Sequence, residues 1–153
     1  MLSMKAKYAL RALCALADAR GERLQARQIA LAAAVPEKFL ESILVELRKA
    51  GILVSKRGVQ GGHALARRPE DITVGEIIRT LDGPIAPIRC ASVTAYRPCS
   101  DCPDPGSCAL RMLMGDVRDA MAEVIDNRNL QQLTLETRRL ERKRTRNASR
   151  GQR

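Results

Sequence analysis

The stretch from 36 to 66, PEKFLESILVELRKAGILVSKRGVQGGHALA, limits what this chain can fold into more than any other. Phe39, Leu40, Ile43, Leu44 and Leu47 recur at helical spacing, Pro36 suits a first helical position, and Gly51 suits the residue just past the end. Behind that helix, 52–56 and 63–66 read as two short strands. The turn between them holds Gly58, Gly61 and Gly62, and glycine reaches positive backbone angles without a Cβ clash. A shorter helix, Ala26–Ala33, comes before, across a tight corner at Ala34 and Val35. Helix, corner, helix, hairpin is the order of a helix-turn-helix with a β-wing, whose second helix can lie in the major groove of duplex DNA. The fold expected is therefore mainly α with a small β-wing.

Around this motif, 153 residues suffice for one domain extended by a dimerisation arm. The formal net charge is +10, but residues 137–153 carry eight Arg or Lys against the single acid Glu141, so that end supplies +7 and the rest only +3. Without apolar periodicity, such a basic end reads as a solvated, disordered tail that adds sequence-independent attraction to phosphates. No apolar run approaches membrane-spanning length, and the N-terminus lacks a secretory pattern, so the expectation is a cytoplasmic protein with no membrane partner. In that reducing compartment the five cysteines read as thiols or metal ligands. Tyr8, Phe39 and Tyr96 are the only aromatics, too few for a base-stacking platform, which leaves duplex DNA as the expected nucleic-acid partner.

Taken in order, Ser3 can cap a first helix over 4–19, with Tyr8, Leu10, Leu13, Cys14 and Leu16 as its apolar residues and Cys14 in the core. Lys5, Lys7 and Arg11 sit near the positive end of that helix dipole, a placement that a partner anion explains; they are expected to touch DNA phosphates. On the helix that follows Pro36, the residues left outside the apolar stripe are Glu37, Lys38, Glu41 and Ser42. Glu41 can accept from a cytosine amino group and Lys38 can reach a guanine edge or a phosphate, with Arg48 and Lys49 left to backbone or solvent. At the wing, Lys56 and Arg57 precede the glycine turn, as suits an arginine tip entering a minor groove. Thr73 and Glu76 have capping-box spacing and Gly83–Pro84 ends the next helix, Val74–Asp82. Beyond 108, Leu110, Leu113, Val117, Ala120 and Val124 step by three and four, with Met114, Met121 and Ile125 beside them. This is the seam of two meeting helices, and a homodimer presenting two heads to a pseudo-palindromic operator is the economical reading. A last helix is expected over 130–140. The chain divides at 1–83 (DNA-binding domain), 84–108 (sensor loop), 109–136 (dimerisation helix and following segment) and 137–153 (tail).

Five of the seven prolines and four of the five cysteines fall between 84 and 108. Cys90, Cys99, Cys102 and Cys108 lie on turn-rich backbone that lets thiolates converge on a soft metal or an iron–sulfur cluster. Tetrahedral zinc, a thiol–disulfide switch between Cys99 and Cys102, and thiols without a role stand beside that reading. An enzyme is not expected: the sole histidine, His63, lies on a wing strand, and no phosphate-cradling loop or nucleophile motif occurs.

Over about residues 3–130 the chain resembles the bacterial winged helix-turn-helix regulators of the IscR, NsrR and RirA type. The resemblance rests on KYALRAL (7–13), EKFLESILVELRKAGIL (37–53), SKRGVQGGHALAR (55–67) and ITVGEIIRTLDGP (72–84), then a cysteine loop and a long helix. It implies a homodimer crossing its long helices, with recognition helices in major grooves and wings in flanking minor grooves. Glu41 falls at the family's recognition-helix glutamate and Arg57 at its wing arginine. The function it implies is a sequence-specific transcription regulator, a repressor, sensing iron, redox or nitric-oxide status through an iron–sulfur cluster. A cluster-free regulator using zinc, a thiol switch or a small effector is the alternative, and a redox or electron-transfer protein the reading from another class. Cys102 and Cys108 keep the spacing of the last two cluster ligands, whereas Cys90 lies farther upstream than the first and Cys99 is additional. Arg111 stands where IscR-like proteins carry a ligating histidine, and Lys7 where NsrR-like proteins carry an aspartate.

Overall fold

Ser3 starts the fold. Its hydroxyl accepts from the Ala6 backbone N–H at 3.0 Å and opens α1 (Met4–Asp18), while its own backbone N–H donates to the Asp82 carboxylate at 2.9 Å. The computed structural model describes residues 2–102 and 104–150, the last three by backbone only. Ala6, Ala9 and Ala12 are fully buried, and their short side chains let α2 (Ala26–Ala33), α3 (Glu37–Lys49), α4 (Val74–Asp82) and α6 (Leu130–Arg150) all pack on α1. Leu13, Leu16, Ile29, Leu40, Ile43, Leu44, Leu47, Ile52, Ile72, Ile77 and Leu130 fill the core between them. Cys14 belongs to it as expected, with burial pushing its thiol pKa up.

The helix-turn-helix is α2 and α3. Gln25 and Gln28 cap α2 reciprocally, and the corner is made by Ala34 in the left-handed region at φ 49°, with the Val35 N–H returning to the Ala30 carbonyl at 3.0 Å. Pro36 stands one position earlier than expected, as the N-cap of α3 rather than its first residue. A second correction concerns Phe39, which is 47 % exposed. Leu40, Ile43, Leu44 and Leu47 already complete the buried stripe, and the neighbouring Phe39 turns out to stack on Tyr8 with ring centroids 6.1 Å apart.

The wing is an antiparallel pair, β1 (Leu53–Lys56) and β2 (Gly62–Leu65), registered Leu53 to Leu65 and Lys56 to Gly62. Gly62, at φ 138°, is required because Leu24 pairs with His63 through two backbone hydrogen bonds of 2.8 and 3.0 Å; a Cβ on Gly62 would meet the Leu24 carbonyl oxygen at 2.7 Å. Thr73 caps α4 by accepting from the Glu76 N–H at 3.1 Å, and Gly83 ends it.

Among the described residues, α5 (Ala109–Asp126) buries none of its side chains fully. It is held at one end by Arg79 of α4, whose two Nη atoms donate to the Asp126 carboxylate at 2.5 and 2.8 Å. The last helix differs from expectation: α6 does not stop at 140 but continues to Arg150, and 151–153 lie outside the described residues. Asn129 and Gln132 cap its start reciprocally, and Leu130 and Thr134 anchor it to the core. Leu, Gln, Glu, Lys and Arg are good helix formers, so a run rich in them propagates once its first turns are packed, and the stretch expected as a disordered tail is helical to Arg150. No helix among the described residues is long and apolar enough to cross a membrane.

Candidate DNA-binding surface and cysteine loop

The outer face of α3 is polar because its inner face is spent on the core. Glu37, Lys38, Glu41 and Ser42 are exposed near its beginning. Glu41 has no hydrogen-bond or ion-pair partner among the described residues, so its carboxylate is free to accept. The Lys38 ammonium lies 4.8 Å from the Phe39 ring centroid, and Ser42 donates to the Phe39 carbonyl at 3.1 Å. Lys5 reaches this face from α1 and pairs with Glu46 at 3.0 Å.

Lys7 and Arg11 do not join it. Lys7, two residues beyond Lys5, is turned about 200° from it, and Lys7 and Arg11 instead line a groove of about 550 Å³ with Ala32, Ala33 and the corner residue Ala34, and with Leu133, Thr137 and Arg144 of α6. Arg144 adds a cation there that the sequence does not reveal, because a basic run with little apolar period gives no sign of a helix packed beside α1.

At the wing, Lys56 and Arg57 are fully presented, and neither has a partner among the described residues. Their hairpin is stiffened by Ser55, whose hydroxyl lies 2.8 Å from His63 Nδ1 across the strands. Burial, with the charge of Arg48, lowers the His63 pKa below its ordinary value.

The described part of the cysteine loop, 84–102 and 104–108, contains a 3-10 turn, Arg89–Ala91, packed on α5. Cys90 sits in this turn at 5 % exposure, Cys99 is exposed, and Cys102 and Cys108 are half-buried. The Cys99 thiol donates to the Cys90 sulfur with the two Sγ atoms 3.5 Å apart, and that contact, helped by desolvation, raises the Cys99 pKa. Desolvation and the neighbouring Cys108 raise that of Cys102. Among the described thiols Cys90 and Cys99 are in contact, while Cys102 feels Cys108 first and Cys90 as well. For Cys99, the partner in contact is Cys90 rather than the Cys102 named in the thiol-switch alternative.

Arg111, one turn into α5, holds this loop. Its Nε donates to the Cys90 carbonyl at 3.0 Å and its Nη1 to the Pro105 carbonyl at 3.3 Å, and its guanidinium lies 5.7 Å from the Tyr96 ring centroid. Arg118, two turns further, donates to the Ala91 carbonyl. Neither clamp was legible in the sequence, since each closes on a backbone carbonyl. The four thiols are suitable soft donors, but among the described residues no three Cys, His, Asp or Glu side chains converge to hold one metal ion.

On the opposite side of α5 the expected seam is laid open: Leu110 is 57 % exposed, Leu113 55 % and Val124 63 %, with Val117 and Met121 between them. Met114 and Ile125 turn inward with Arg111 and Arg118.

A family model described as "Rrf2: Iron-dependent Transcriptional regulator" matches residues 2–136. A protein of Rhodobacter capsulatus described as an rrf2-like HTH-type transcriptional regulator is 43 % identical over 137 residues, covering 87 % of this chain and 91 % of its own length. Among solved structures, CymR (YrzC), the global cysteine regulator of B. subtilis, superposes with a TM-score of 0.72 at 34 % identity, covering 89 % of this chain and 97 % of that one. IscR of T. potens gives a TM-score of 0.69 at 30 % identity, over 90 % and 88 % of the two chains.

Proposed function

The chain belongs to the Rrf2 family of transcriptional regulators, and from that membership we propose that it is a cytoplasmic repressor that binds a pseudo-palindromic duplex as a homodimer and senses redox state through its cysteine loop. The observation that carries the DNA reading is the pairing, on one rigid module, of an unpartnered Glu41 on the outer face of α3 with an unpartnered Arg57 at the wing tip. Glu41 reads a cytosine amino group in the major groove and Arg57 enters the adjacent minor groove. Lys5, Lys38, Ser42 and Lys56 border those two residues, and Lys7 and Arg11, with Arg144, offer cations to phosphates from the α1 side. The exposed seam of α5 supports the dimer, because a stripe of large apolar side chains is stable in water only when covered.

Selection from a random pool of duplexes tests this reading. Wild-type protein is expected to enrich an inverted repeat; enrichment of nothing would refute it.

For the sensing group, what favours the thiols themselves over a cluster held by Cys90, Cys99, Cys102 and Cys108 is the direct contact of Cys90 with Cys99, the lack of three converging ligands among the described residues, and an Arg111 engaged with loop carbonyls. Iron and acid-labile sulfide, measured on protein purified without oxygen, decide that choice. Traces of each are expected; a full cluster per chain would hand the loop to iron.

A further inference from the structure

We propose that Cys90 and Cys99 form a reversible disulfide, and that Arg111 and Arg118 carry its formation into the dimerisation helix α5. The inference rests on the reading of the chain as a DNA-binding regulator and names the chemistry of its sensor.

Three observations point to this pair. The two sulfurs are already in contact at 3.5 Å, so closing the bond to the normal length of about 2.05 Å asks for a movement of about 1.5 Å within one loop. Their environments divide the labour: Cys99 is exposed to a soluble oxidant, whereas Cys90 is buried in the turn packed on α5. Finally, the turn that carries Cys90 is held by α5 at two successive carbonyls, Cys90 to Arg111 and Ala91 to Arg118, so displacement of the turn is felt one and three turns along that helix. The same helix bears the open seam Leu110, Leu113, Val117 and Val124 on its other side.

The reaction is thiol–disulfide exchange with a low-molecular-weight disulfide. The Cys99 thiolate attacks one sulfur of the small disulfide, forming a mixed disulfide and expelling one small thiolate. The Cys90 thiolate then attacks Cys99 Sγ, forming the Cys90–Cys99 bond and expelling the second. Two protein thiols are oxidised by two electrons, one small disulfide is reduced to two thiols, and the two protons lost by the protein end on those thiols. A dithiol reductant reverses both steps.

The test uses full-length protein, reduced and freed of metal by a chelator, then equilibrated with oxidised glutathione. Trypsin cannot resolve the pairing, because cleavage after Arg89 and next after Arg111 leaves all four loop cysteines in one peptide, Arg97 being followed by Pro98. Chymotrypsin after Tyr96 and an Asp-directed protease before Asp101 and Asp104 place each cysteine in its own fragment. The expected result is a linked Cys90–Cys99 pair that dithiothreitol releases. Affinity for a duplex enriched from the random pool is expected to change by about fivefold or more on oxidation, the scale of an ordinary coupling between sites. Cys99→Ser, at an exposed position, abolishes the response. Arg111→Gln keeps the disulfide but reduces the response, which a thiol pair uncoupled from α5 would not show. Linkage of Cys102 to Cys108, absence of any disulfide, or a Cys90–Cys99 bond that leaves affinity unchanged would overturn the proposal. Failure to enrich any duplex would instead strike the regulator reading, while fragment mapping still decides the pairing.

Discussion

His63 is the single histidine in the chain, so the pH dependence of stability between about 5.5 and 7.5 is largely its own. Its folded pKa is lowered by burial and by Arg48, which means that the unfolded chain binds the proton more readily. Stability conferred by the neutral ring is fully present above the unfolded value and is lost as pH falls from there toward the folded one. Urea midpoints at pH 7.5 and 5.5 should differ, with the acidic value lower, and an unchanged midpoint would contradict the burial of the ring beside Ser55. Some residue-level features could be seen in advance and others could not. Ser3 and Thr73 cap as their spacing with the following helix suggests. Ala34 gives no such sign, because a left-handed alanine costs roughly 1–2 kcal/mol and no rule selects it from sequence. Phe39 was misplaced because an apolar residue adjacent to a complete i, i+3, i+4, i+7 stripe looks like part of it.

At the scale of elements, α2, α3 and the wing were legible because helical period and a glycine turn between short apolar runs each leave a local mark, whereas partners distant in sequence leave none. The pairing of Leu24 with His63, the grip of Arg79 on Asp126 and the thiol contact of Cys90 with Cys99 depend on loop closure. The extent of α6 was also hidden, since a basic run with little apolar period looks solvated until its first turns are seen docked through Leu130. Leu130→Ala should therefore destabilise the whole fold by about 2–5 kcal/mol, as for other fully buried leucines. Loss of less than about 0.5 kcal/mol in chemical denaturation would mean that α6 is not part of the cooperative unit.

In the molecule as a whole, a core built around α1 holds the DNA-binding module, and α5, packed on α4 and on the turn at 89–91, leaves its apolar seam in water. Pattern alone placed that seam; what it could not show was that the helix face opposite the seam is pinned to the cysteine loop by two arginines. Val117→Asp puts a charge in the middle of the stripe and should give a monomer in sedimentation, with operator affinity falling by about a hundredfold as two linked heads become independent. A dimer that persists would move the interface elsewhere. The most direct test of DNA reading by α3 is a titration of wild type and Glu41→Ala against the enriched duplex and a panel of its single-base variants. Loss of about 1–3 kcal/mol of discrimination at one base pair in each half-site, with the other positions unchanged, is the predicted result. An identical preference profile in the two proteins would show that Glu41 does not read DNA.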